Sequence, residues 1–166
     1  MLKRRGVRLR SAIHVDQSRG IAYDTVMSPR IVIDTNVLVS ALRSSRGASY
    51  RLLMLIGGTD FEIALSVPLV LEYEDVVKRI PEVTGLSDSD VDDIIDYLCG
   101  VAHLQEINFL WRPFLRDSRD DHVLELAAEA GCSVVVTHNV RDFAGSERFG
   151  VTAITPGEFL RSIGGA

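Results

Sequence analysis

The 166-residue chain is 46% hydrophobic and carries a formal net charge of -5. That is enough for one buried core but short of two ordinary domains, and the acidic balance excludes a surface that attracts nucleic acid everywhere while leaving room for a local groove. No apolar run approaches the roughly 18 residues of a membrane span, and Cys99 and Cys132 lack the spacing of a disulfide framework or zinc site, which fits a soluble protein of the reducing cytosol.

In the first 26 residues Lys3, Arg4, Arg5, Arg8, Arg10 and Arg19 outnumber Asp16 and Asp24, without the apolar stretch of a secretory signal. Met27 stands directly before Ser28-Pro29-Arg30. Residues 1–28 are therefore expected to be a poorly ordered leader or an overlong translation start, with residues 29–166 as the single folded domain. A basic arm that touches RNA is the lesser reading.

Arg30 to Ile33 is a short β-branched run that reads as a buried strand. Apolar spacing predicts helices over 36–43 and 48–56, the second stopped by Gly57-Gly58. A strand over 62–66 leads to Pro68, which suits a first helical turn, and that helix is expected to run through Arg79 to Ile80-Pro81. A helix over 88–100, a strand over 104–109, a helix over 120–130, strands over 133–137 and 151–154 and a last helix over 157–162 complete the chain. Strands alternating with helices imply an α/β domain with a mainly parallel sheet covered on both faces. Ligands in such sheets bind beyond the carboxyl ends of the strands, where the winding direction reverses.

Three carboxylates and an amide converge on that edge in the predicted order. Asp34 ends the first strand, Glu72 borders the apolar stripe of its helix, Asp120 opens the helix leading into the fourth strand, and Asn139 follows that strand. On a helical wheel Asp120 lies within the apolar arc of Val123, Leu124, Ala127 and Ala130, while His122, Glu125 and Glu129 point outward. Clustered carboxylates raise one another's pKa and call for a cation; oxygen donors suit Mg²⁺ or Mn²⁺, ions that serve chemistry at phosphate. Asp117 and Asp121 are candidate auxiliary ligands, and Asp142 can replace or accompany Asn139. Thr35 and Asn36 can hydrogen-bond the Asp34 carboxylate and fix its rotamer. Arg43 and Arg46, with Arg51, can frame an anionic substrate.

The bland readings are specific. Asp34 and Asp120 can serve as helix N-caps, Glu72 can pair with an arginine, and Asn139 can be a turn residue. His122 and His138 lack a zinc motif. Trp111 and Phe114 fit core packing better than base stacking.

Over about residues 30 to 160 the chain resembles the PIN-domain nucleases, in particular the prokaryotic toxins of toxin–antitoxin pairs. Asp34-Thr35-Asn36-Val37 after the first strand looks like the opening motif of that family. Ser66 with Glu72-Tyr73, and the run Arg116-Asp117-Ser118-Arg119-Asp120-Asp121, look like its second and third acidic motifs. Val136-Thr137-His138-Asn139 with Arg141-Asp142-Phe143 looks like the fourth, where many members carry Asp at the position of Asn139. The resemblance implies a three-layer α/β/α sandwich with a sheet of about five strands. It also implies a Mg²⁺- or Mn²⁺-dependent endoribonuclease site acting on single-stranded RNA. Asp34, Glu72 and Asp120 would hold the metal, with Asn139 completing the catalytic set and Thr137 supporting it. A small antitoxin and a homodimer are the implied partners.

Two rivals remain. A haloacid-dehalogenase-like phosphatase also places Asp after its first strand, but needs a second Asp where this chain has Asn36. A PIN-like module that binds RNA or a protein without cutting is the stronger alternative. A dinucleotide-binding domain is excluded because no GxGxxG follows any strand.

Overall fold

The computed structural model describes residues 28–108 and 112–164. The expected basic leader, Phe109 and Trp111 lie outside those residues, apart from the start of the domain at Ser28. Five strands form one all-parallel sheet in the order β3-β2-β1-β4-β5. They are β1 (Arg30–Ile33), β2 (Glu62–Leu65), β3 (His103–Leu104), β4 (Val134–Val136) and β5 (Thr152–Ile154). The central strand β1 is almost wholly apolar because helices cover both of its faces: Ile31 and Val32 are completely buried.

Helices α1 (Thr35–Arg43) and α2 (Ala48–Leu55) connect β1 to β2. Helix α3 (Val67–Lys78), a single turn α4 (Pro81–Thr84) and α5 (Asp88–Val101) connect β2 to β3. The turn α4 begins at the proline expected to end α3, so Pro81 stops one helix and starts another. Ser87 and Asp90 form a reciprocal capping box that starts α5, and Thr155 and Glu158 do the same for α7 (Pro156–Ser162). At the sheet edge β3 is two residues long where a run to Phe109 was expected; its pairing continues only through Gln105 N–H, which donates to Leu65 C=O at 2.8 Å.

Helix α6 (Asp121–Glu129) departs most from expectation, since every residue from Asp121 to Ala127 is buried. It lies against β1, β2, β4 and α3, while the segment from Arg112 to Leu115 supplies partners for its polar residues. The wheel that turned His122 and Glu125 toward solvent assumed one buried arc, and here polar partners outside the helix allow burial of its other side. Glu125 forms an ion pair with Arg112 at 3.0 Å. Asp121 accepts amide hydrogen bonds from Phe114 (3.1 Å) and Leu115 (2.8 Å). Asp121→Ala leaves both amides unpaired and should lower unfolding stability by about 2 kcal/mol, read as a lower urea midpoint at unchanged slope.

Candidate active site

The winding reverses at β1, whose neighbours β2 and β4 are reached by connections running in opposite directions along the sheet. The residues just beyond β1 and β4 therefore flank a crevice. Asp34 leaves β1 and its amide donates to Val136 C=O at 2.9 Å, extending the pairing by one bond. Asp34 occupies the N-cap position of α1, but its side chain makes no cap hydrogen bond. Its Oδ2 instead accepts from Thr137 Oγ1 and from Asn36 Nδ2, each at 2.6 Å. Asn36 Nδ2 also reaches Thr137 Oγ1, and Asn36 Oδ1 accepts from the His138 amide, so these side chains tie the two strand ends together. The buried Tyr73 hydroxyl donates to Ile33 C=O, fixing the peptide immediately before Asp34 from the α3 side.

Glu72 reaches the same crevice from the middle of α3, next to Tyr73. His122 Nε2 lies 3.0 Å from Glu72 Oε2, an ion pair when the imidazole is protonated. The His122 Nδ1 side faces Arg119 C=O at 2.7 Å. This contact with His122 holds Glu72 below the usual carboxylate range despite burial. Burial pulls the His122 pKa down, but Glu72 and the Arg119 carbonyl together leave it raised.

Asp120 is the N-cap residue of α6, and its side chain makes no cap hydrogen bond either. Its amide donates to Asp117 C=O at 3.1 Å, and the half-buried carboxylate feels the charges of Asp34, Asp117, Asp142 and Glu72. Burial first, and then those four carboxylates, push its pKa to about 6. Asp34 is likewise raised by burial, partly offset by the Thr137 hydroxyl and reinforced by Glu72. Asp142, on the 3₁₀ turn Val140–Phe143 that starts after Asn139, is thus part of the acidic cluster.

An open cleft of about 640 Å³ is lined by Asp34, Thr35, Asn36, Arg43, Glu72, Asp120, His138 and Asn139. A second opening of about 550 Å³ shares Glu72, Asp120 and Asn139 and continues past Arg112, Asp117, Arg119, His122 and Asp142. The structure thus brings together Asp34, Glu72, Asp120 and Asn139. It also places Thr35, Asn36 and Arg43 on the wall, with Thr137 buried beneath. Asp117 is at the rim, held by a two-pronged contact with Arg119 that lowers its pKa to about 2. Asp121 does not line the cleft, because the Phe114 and Leu115 amides hold its carboxylate elsewhere, and Arg46 lies in the exposed 44–47 loop. His122 was the residue sequence reasoning missed; its partner Glu72 lies fifty positions away.

The donor set suits a hard divalent ion, being all oxygen at Asp34, Glu72 and Asp120. The buried Thr35 Oγ1 lies beside Glu72, a further oxygen in that neighbourhood. Among the described residues no three acidic, His or Cys side chains converge closely enough to enclose an ion by themselves.

Because Asp120 titrates above its ordinary 3.8, the folded chain holds a proton between about pH 4 and 6 that the unfolded chain has released. Without metal, the stability linked to this group is full below about pH 4 and is lost as pH rises through about 6. Asp120→Asn should therefore raise metal-free stability at pH 7.5 by about 1 kcal/mol after allowance for solvent screening. The gain should vanish near pH 4, and carboxyl NMR should show one resonance titrating near pH 6 that the variant lacks.

Residues 30–141 match the PIN-domain family. Among solved structures, VapBC2 from Rickettsia felis, crystallised with a DNA fragment from its promoter, is similar in fold. The match has a TM-score of 0.53 and 14% identity, covering 76% of this chain and 98% of the other. No curated protein matches the chain. The chain belongs to the PIN-domain family, whose members are generally nucleases.

Proposed function

We propose that the protein is a divalent-metal-dependent endoribonuclease that hydrolyses single-stranded RNA as the toxin of a toxin–antitoxin pair. The supporting observation is the set of mutually repelling carboxylates, Asp34, Glu72 and Asp120, at the switch point of the sheet in an open cleft. Such an arrangement is costly without a cation and useful at a phosphodiester. Asp34, Glu72 and Asp120 would hold a divalent ion, which would supply an acidic water and neutralise charge on the scissile phosphate.

The protein's own residues divide the remaining work. Thr137 and Asn36 keep the Asp34 carboxylate in one orientation, and His122 keeps Glu72 ionised and placed. Asn139 offers an amide that orients a polar group without adding to the negative charge, beside Asp142. Arg43 on one side and Arg112 with Arg119 on the other attract the flanking phosphates. In-line attack by water leaves a 5′-phosphate and a 3′-hydroxyl. An open cleft suits a flexible single strand, whose backbone can bend over the acids, better than a stiff duplex.

The fold relative was crystallised as a VapBC2 assembly, which supports an antitoxin partner, and the family resemblance suggests that it covers this cleft and that the nuclease is a homodimer. A non-cutting RNA- or protein-binding module is the second reading. Asn139, in place of a fourth acid, and the absence of three converging ligands among the described residues favour it.

A labelled single-stranded RNA pool incubated with Mn²⁺ or with chelator, beside Asp34→Asn, decides between them. The nuclease reading expects cleavage only with metal, lowered about a hundredfold or more in the variant. Cleavage indifferent to chelator or to Asp34, or no cleavage by folded protein, contradicts it.

A further inference from the structure

His138, the second residue beyond β4, lines the cleft beside Asp34, Arg43 and Asn139, yet the mechanism above gives its ring no role. It is an exposed residue fixed at both ends. Its amide donates to Asn36 Oδ1 at 3.1 Å, and its ring Nε2 lies 2.9 Å from Ser49 Oγ. Ser49 is 5% exposed, near the start of α2, an element that contributes nothing else to the polar wall. A surface histidine that only faced solvent would keep its rotamer freedom, which costs free energy to remove. A buried hydroxyl that bridges 89 positions to hold it implies that the ring's direction matters.

We infer that His138 contacts substrate, donating from Nδ1–H to a phosphate oxygen next to the scissile bond, and that Ser49 is its positioning residue. The 2.9 Å contact allows the Ser49 hydroxyl to donate to Nε2, the direction that this inference requires if Nδ1–H is to face the phosphate. Arg43 and Ser40 line the same lobe and supply the other donors for that phosphate. The ligand class is a phosphodiester chain. The inference rests on the nucleic-acid reading above but concerns binding, not bond cleavage.

The test compares wild type, His138→Ala, His138→Gln and Ser49→Ala on one cleavable single-stranded RNA oligonucleotide. Circular dichroism confirms that each is folded. One lost phosphate hydrogen bond should raise KM about tenfold in His138→Ala with kcat within about twofold. His138→Gln should recover part of the loss. Ser49→Ala should raise KM by a smaller factor and add nothing in the double variant, since its effect passes through His138. Nitrogen-detected NMR should report the Nδ1–H tautomer in wild type and a mixed population in Ser49→Ala.

An unchanged KM in His138→Ala, a loss in kcat alone, additive effects of the two substitutions, or an Nε2–H tautomer in wild type overturns the inference. If wild type cleaves nothing, the nuclease reading fails separately. Fluorescence anisotropy with the same oligonucleotide then decides: weaker binding by His138→Ala than by wild type supports the contact, and equal binding removes it.

Discussion

The hydrogen bonds from Thr137 and Asn36 to Asp34 are the interaction on which the cleft depends. They join the ends of two parallel strands that are far apart in sequence, and they place a buried carboxylate where the sheet changes its winding direction. Their geometry needs β1 and β4 to be adjacent and in register, which the apolar, doubly covered strands enforce. Tyr73 adds the third restraint from α3, and in doing so puts the neighbouring Glu72 at the edge of the same crevice. Packing and function therefore share side chains here: the groups that close the core also aim the acids.

The electrostatics of the cleft follow from unequal neutralisation. Glu72 has His122 and stays readily ionised, and Asp117 has Arg119. Asp120 is held up by burial and four neighbouring acids although Arg119 lies near it, while Asp34 is raised by burial and partly offset by hydrogen-bond donors. The unbalanced charge is thus concentrated on Asp34 and Asp120, which line the same opening. A divalent cation is the simplest group that relieves both. Under the proposed function, this arrangement would sacrifice stability in the metal-free chain for a binding site, a common trade at functional positions.

Much of this was readable before any coordinates. The β-branched run ending at Asp34, the proline-led helix carrying Glu72 and the order of strands and helices each carry a local signal, and all five strands were found at or near their places. What was hidden is nonlocal. The helical wheel of α6 assigns one buried arc, whereas Arg112, Phe114 and Leu115 supply partners on its other side, so His122, Glu125 and Asp121 all became buried groups. Asp120 and Asp121 are adjacent in sequence and alike in chemistry, yet the loop amides take one and leave the other for the cleft. Asn36 was expected to support Asp34, but its second bond to the His138 amide required knowing that β4 lies beside β1. Arg43 and Arg46 differ for a simpler reason: the first lies on the last turn of α1, and the second in the exposed loop beyond it.

The central claim is that these carboxylates share one divalent ion. Titration of metal-free protein with Mn²⁺, followed by electron paramagnetic resonance of the free ion, tests it without reference to any substrate. The account predicts one bound ion per chain, competed by Mg²⁺ and lost in folded Asp34→Asn. No saturable binding by wild type, or binding that survives Asp34→Asn unchanged, would contradict it.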